Sequence, residues 1–134
     1  MLDSSGSLSV RAFTAGGALP VKGAIVRIQG AEQNNSQIAY SLITDRDGLT
    51  ETVVLPAPSV NFSLSPNPTE LPYSVYNLEI TAPGYFTKRI NGLTVFSGVH
   101  SVQLINMIPG SGTTTEDYPR GNINTIIPEN SDLQ

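Results

Sequence analysis

The chain has 134 residues, 39% of them hydrophobic and 13% charged, with 12 Gly, 10 Pro, no Cys, no Trp and one His. That length supports one core burying roughly two-thirds of the unfolded surface without covalent staples, and excludes a second full domain. Without cysteine there is no disulfide framework, thiolate zinc site, iron–sulfur cluster or cysteine nucleophile; one His excludes any site needing two imidazoles; and seven basic against eleven acidic residues, net −4, make nucleic acid and anionic membranes poor partners.

The opening MLDSSGSLSV lacks the charged flank and apolar stretch of a signal peptide. No apolar run approaches the ~18 residues of a membrane span, so no membrane insertion is expected.

The first 108 residues read as short runs of alternating apolar and polar residues, rich in Val, Ile, Tyr, Phe and Thr and punctuated by Gly, Pro, Asn and Asp. Leu8, Val10 and Ala12 alternate with Ser9, Arg11 and Phe13 in a first strand that stops at Ala15-Gly16-Gly17. Leu19-Pro20-Val21 leads into a second strand, Ala24 to Gln29, with Ala24, Val26 and Ile28 inward. A polar loop from Gly30 to Ser36 precedes a third strand from Gln37 to Thr44. Asp45-Arg46-Asp47-Gly48 is the sequence of a tight hairpin turn, with Leu49 to Leu55 as the return strand.

Five prolines between residues 56 and 72 make that stretch unfit for a central strand, since proline donates no ladder hydrogen bond. It reads as a long crossing connection in which Val60, Phe62 and Leu64 could form a short edge strand. Tyr76, Leu78, Ile80 and Ala82 mark a fifth strand, ended by Pro83-Gly84-Tyr85, and Phe86 to Ile90 starts a sixth. Asn91-Gly92 and Ser97-Gly98 bracket a further strand, Leu93 to Phe96. The last strand, Val99 to Ile108, puts Val102, Leu104 and Ile108 on one face and Ile105 and Met107 on the other. Seven or eight strands in this space predict a two-sheet all-β sandwich spanning 1–109. From Pro109 the composition shifts to Gly110-Ser111-Gly112-Thr113-Thr114-Thr115-Glu116-Asp117, so 110–134 reads as a flexible linker or tail whose main apolar group is Ile123, Ile126 and Ile127.

Few constellations carry chemistry. Asp45-x-Asp47-Gly48 lacks the third oxygen ligand and the distal Glu of a calcium loop, and reads as a turn. His100 has no nucleophile elbow to serve. Nothing in the spacing of Asp45, Asp47, Glu51, Glu79 and His100 brings them together as an acid–base set. Asp117-Tyr118-Pro119-Arg120-Gly121 reads as linker, and Asn34-Asn35-Ser36 and Asn61-Phe62-Ser63 match the N-glycosylation pattern. Among the aromatic residues, Tyr73, Tyr76 and Tyr85 are the candidate glycan contacts, provided their rings share an exposed face.

Gly6-x-Leu8-x-Val10, Leu19-Pro20-Val21-x-Gly23-Ala24-x-Val26-x-Ile28 and Thr44-Asp45-x-x-Gly48 together resemble the carboxypeptidase regulatory-like, prealbumin-like (transthyretin-like) family. Val54-Leu55-Pro56-Ala57-Pro58, the run from Leu71 to Tyr85, and Ile90-x-Gly92-Leu93-x-Val95-Phe96-Ser97-Gly98 look like the amino-terminal, non-catalytic module of clostridial spore cortex-lytic enzymes and peptidoglycan-binding proteins. The resemblance implies a prealbumin-like Greek-key sandwich without cofactor or metal. It also implies a module that spaces, restrains or attaches a hydrolase at the bacterial cell envelope or spore, with peptidoglycan or a catalytic domain of the same parent chain as partner. The alternative is a carbohydrate-binding or adhesin-type surface module.

Related sandwiches with their own chemistry fit less well. Hydroxyisourate hydrolases use more than one His and a terminal Tyr-Arg-Gly-Ser, where this chain offers one His and Tyr118-Pro119-Arg120-Gly121. Intradiol dioxygenases hold iron with two Tyr and two His, which one His does not supply. Collagen-adhesin B-type modules join a first-strand Lys to a last-strand Asn beside an acid. Asn106 and Glu79 suit the latter roles, but the first strand offers Arg11 and no Lys, while Lys22 and Lys88 lie elsewhere.

Overall fold

Side chains alternate from face to face along a strand, so Leu8, Val10 and Ala12 demand cover from one side only. The computed structural model, which describes residues 4–58, 73–117 and 127–128, meets that demand with an all-β sandwich of two mixed sheets. Among the described residues the strands are β1 (Ser4–Thr14), β2 (Leu19–Pro20), β3 (Ile25–Gly30), β4 (Ala39–Ile43), β5 (Val53–Ala57), β6 (Ser74–Thr81), β7 (Thr87–Val95), β8 (His100–Asn106), β9 (Thr113–Asp117) and β10 (Ile127–Pro128). A 3-10 turn, Ala15–Gly17, follows β1 where the glycines end the apolar alternation.

In the first sheet β1 is central. β8 runs parallel along one side of it, and β10 pairs with the far edge of β8. On the other side β1 meets three segments in succession: antiparallel β5 opposite Ser4 to Leu8, the stretch 48–50 opposite Val10 to Ala12, and antiparallel β2 opposite Phe13 and Thr14. The second sheet has the order β4-β3-β6-β7-β9, antiparallel apart from the parallel β7–β9 pair.

One core lies between the sheets. Leu8, Val10, Ala12 and Leu55 from the first sheet, with Val26, Ile28, Tyr76, Leu78, Ile80, Ile90 and Leu93 from the second, are each no more than 2% exposed. Full burial of a Leu or Ile side chain contributes about 1.5–3 kcal/mol, so this group supplies the main drive for closure. Along β8 and the two residues after it, Ile105 and Met107 turn inward while Leu104 and Ile108 face solvent, as their alternation predicts.

Several expected features take a different form. The Asp45–Gly48 turn exists, but it is not a hairpin: β4 before it pairs with β3, and β5 after it pairs with β1, so it carries the chain between sheets. The return strand accordingly begins at Val53 rather than Leu49. Asp45 Oδ1 accepts the N–H groups of Asp47 at 2.8 Å and Leu49 at 3.1 Å, and these donors, Leu49 first, hold its carboxyl below the usual carboxylate range.

Asn91-Gly92 is not a turn either. Asn77 pairs with Asn91 and Tyr76 with Leu93, so Gly92 is an extra residue, a bulge with φ of 93° inside one continuous β7. The bulge resets the alternation, which is how Ile90, Leu93 and Val95 all reach the core.

Pro56 lies inside β5. Its carbonyl accepts the Tyr76 hydroxyl at 2.7 Å, so its missing donor falls on the side turned away from β1.

Residues 113–117, assigned by composition to the linker, form β9, so the sandwich runs past residue 109. Gly110 adopts φ of 147° with the Phe86 ring where a side chain would stand; its glycine is a close approach and not a flexible spacer. Val60, Phe62 and Leu64, the Asn61 sequon, and the tail residues Tyr118 to Gly121, Ile123 and Ile126 lie outside the described residues.

Thr44 joins the two turn motifs. Buried to 3% exposure, its hydroxyl donates to the Val21 carbonyl at 2.7 Å and accepts the Ala24 N–H at 2.9 Å. Thr44→Val keeps the shape but strips the buried Ala24 N–H of that acceptor, and is expected to cost about 2 kcal/mol in urea unfolding. Thr44→Ser, which retains the hydroxyl, should cost about 1 kcal/mol or less.

Burial pushes the Tyr76 phenol up to about 12. Ionisation is therefore easier in the unfolded chain, so this group's stabilisation is complete below its unfolded value near 10 and is lost as pH rises toward 12. Tyr76→Phe should flatten the fall in stability over that window and remove the latest tyrosinate phase from an ultraviolet titration.

Candidate functional site

Opposed residues of neighbouring strands share a face, so the register of the second sheet fixes what its outer surface presents. Arg27 of β3, Glu79 of β6 and Arg89 of β7 are in line, and so are Gln29, Asn77, Asn91 and Asp117 of β3, β6, β7 and β9. The result is an ionic row and an amide row. They lie two residues apart, roughly 7 Å along the strands, with about 4.8 Å between adjacent strands.

The rows are internally bonded. Arg89 Nε donates to Glu79 Oε2 at 2.9 Å, and an Arg27 guanidinium nitrogen lies 3.6 Å from Glu79 Oε1. Asn91 Nδ2 donates to Asp117 Oδ1 at 2.7 Å. Asn77 Oδ1 accepts the N–H of the bulged Gly92 at 3.2 Å, so the bulge that rephases β7 also orients an amide in the row beside it. Between the rows lies an open depression of about 340 Å³, lined by Arg27, Gln29, Asn77, Glu79, Arg89 and Asn91. The two arginine side chains are 67% and 55% exposed, against 24% for Glu79.

Sequence reasoning singled out Glu79 alone of these, and for another chemistry. The arginine and amide partners become visible only through cross-strand register, which a single strand's pattern does not contain.

Other candidates are dispersed. Tyr76 is buried in the core with its hydroxyl on Pro56, Tyr73 packs its ring against Phe96 with centroids 5.5 Å apart, and Tyr85 is partly buried against the core. The three tyrosines therefore do not make one exposed row for a sugar to stack on.

His100 shares a 2.8 Å hydrogen bond with the Ser7 hydroxyl in the first sheet, while Glu79 lies on the outer face of the second. Asp45 is occupied by its turn, and Glu51 is exposed. Lys88 pairs with Glu116 at 3.0 Å and Asn106 lies opposite Phe13, so the lysine, the asparagine and Glu79 do not converge as a cross-link would require. Among the described residues no group of three or more His, Cys, Asp or Glu side chains is arranged to hold a metal ion, and no helix is long and apolar enough to cross a membrane.

No protein-family model and no curated protein matches the chain. Among solved structures it is similar to the Bacillus anthracis TIE protein, with a TM-score of 0.53 and 17% identity over 80% of this chain and 17% of that one. It is also similar to catechol 1,2-dioxygenases from Acinetobacter radioresistens (TM-score 0.54, 11% identity) and Acinetobacter sp. ADP1 (TM-score 0.54, 15% identity), in each case over 87% of this chain and 57% of the other. The chain thus spans about a sixth of the first and less than two thirds of the others. At these identities the likeness shows a β-sandwich fold and leaves the neighbours' activities with the neighbours.

The ionic row sits in water, where such pairs contribute little. Glu79→Gln should lower stability by less than about 1 kcal/mol, with the difference shrinking as salt is added, measured by thermal unfolding at two ionic strengths.

Proposed function

We propose that this chain is a non-catalytic, prealbumin-like accessory module of a bacterial cell-wall or spore-cortex-lytic protein. It attaches or positions a catalytic partner on peptidoglycan through the outer face of its second sheet. The observation that carries the reading is the pair of transverse rows on that face. Guanidinium, carboxylate and amide groups are set side by side on a rigid support, with a shallow depression between them. Peptidoglycan offers what such rows bind: ring hydroxyls, acetamido groups, the carboxylates of its peptides and the lactyl carboxylates of muramic residues that carry no peptide.

Two further features support this assignment. The Leu19-Pro20-Val21-x-Gly23-Ala24 and Thr44-Asp45-x-x-Gly48 motifs that resemble the prealbumin-like family touch one another through the Thr44 hydroxyl. Their co-occurrence thus has a physical basis. The face is also built on strands rather than loops, which suits a surface that holds a polymer without remodelling itself.

Cosedimentation with purified peptidoglycan and with spore cortex tests the proposal. Saturable retention that soluble glycan fragments compete away is the expected result, and would support a place at the envelope or spore. Recovery of all the protein in the supernatant with both polymers would overturn the wall-attachment reading.

A further inference from the structure

We infer that the groove on the outer face of the second sheet selects an acidic glycan, with the ionic row taking the carboxylate of a sugar and the amide row taking its hydroxyls. This rests on the wall-attachment reading and narrows it to a ligand class and a set of residues.

The charge balance of the groove differs from that of the chain. The whole chain carries −4. The side chains lining the groove include two arginines and one glutamate, an excess of one positive charge; Asp117, at the β9 end of the amide row, is outside the lining and is bonded to Asn91. Glu79 does not consume the donors around it. Each guanidinium presents several N–H groups in a fixed planar fork, and one carboxylate between two such forks leaves outward-pointing donors on both. Glu79 instead holds the forks in place, bonded to Arg89 Nε and close to Arg27. An incoming carboxylate therefore meets two guanidinium forks on one face, one of them hydrogen-bonded to Glu79, and each can offer it a bidentate contact.

The backbone removes one way in which a peptide could bind. The groove lies over β3, β6 and β7, each flanked by strands on both sides. Their main-chain groups belong to the ladders, so a peptide cannot add there as a further strand and loses its usual source of affinity. Recognition must come from side chains alone. The amide row supplies paired donors and acceptors at a spacing of about 4.8 Å from strand to strand, which suits a ligand with a hydroxyl on nearly every ring carbon. No aromatic residue lines the groove, so binding rests on hydrogen bonds and charge and is salt-sensitive.

The test titrates the whole chain with polygalacturonate oligosaccharides, neutral cello-oligosaccharides and poly-glutamate, at low and physiological salt. Polygalacturonate should bind, neutral glycan should bind at least tenfold more weakly, and poly-glutamate should also bind more weakly, because it lacks hydroxyls for the amide row. Arg27→Gln combined with Arg89→Gln should weaken polygalacturonate binding about tenfold or more, and Gln29→Ala about threefold, while Lys22→Gln, away from the groove, leaves it unchanged. Thermal melts confirm that the variants, all altered at exposed positions, remain folded.

Equal binding of neutral and acidic glycans, equal binding by the double arginine variant, or no binding of polygalacturonate would each overturn the inference. Retention on peptidoglycan that ignores the arginine substitutions would overturn this groove while sparing the wall reading. Groove-dependent binding of polygalacturonate without retention on peptidoglycan would do the reverse.

Discussion

The hydroxyl of Thr44 is the interaction that fixes where the chain first crosses from the second sheet to the first. It lies at the end of the chain's first passage through the second sheet, just before the crossing to the first, and bonds the Val21 carbonyl and the Ala24 N–H on the approach to β3. Its backbone does the same work: its N–H reaches the Ala24 carbonyl, and its carbonyl accepts the Gly23 N–H. From that fixed point the Asp45 turn delivers residues 48–50 to the edge of β1. There the Ala12 N–H donates to the Gly48 carbonyl, and the Val10 N–H donates to the Thr50 hydroxyl. Three separate segments thereby share one edge of β1, and the buried main chain between β5 and β2 has its partners.

Closure of the inner faces has a consequence for the outer ones. Once Leu78, Ile80 and Ile90 are committed to the core, register alone determines that Arg27, Glu79 and Arg89 stand together outside. A slip of one residue between β3 and β6 would expose the core residues and scatter the charged row at once. The hydrophobic pattern thus protects the polar face, although no polar contact there contributes much to stability.

Much of the fold was legible in the chain. Period-two alternation located β1, β3, β6 and β8 and the direction each side chain faces, because one-sided burial writes itself directly into sequence. Asp45–Gly48 and Asn91-Gly92 look like strand-ending turns in sequence for a common reason. A residue pair that favours positive φ serves a hairpin, an inter-sheet crossing or a bulge equally well, and only the pairing partners distinguish them. Asn35 belongs by composition to a polar loop, yet it is fully buried. Its amide joins Glu32 to the Val75 carbonyl, a long-range bond with no local signature. The polar face was hidden for the same reason, since its members come from residues 27–29, 77–79 and 89–91.

The stretch from Gly110 to Asp117 shows how composition and structure part company. Gly-Ser-Gly followed by threonines is what a spacer looks like, yet two of those glycines lie against the Phe86 ring, and the threonines pair with β7. β9 adds more than length to the sheet. Its Asp117 carboxylate holds the Asn91 amide at the end of the amide row, so the apparent linker contributes an end residue of that row. Trimming the chain at residue 109, the boundary that composition suggests, would remove β9 from the edge of β7 and release the amide that β9 orients. The boundary of the domain and the integrity of its candidate site are thus one structural question, decided by a parallel strand pair that no local pattern announces.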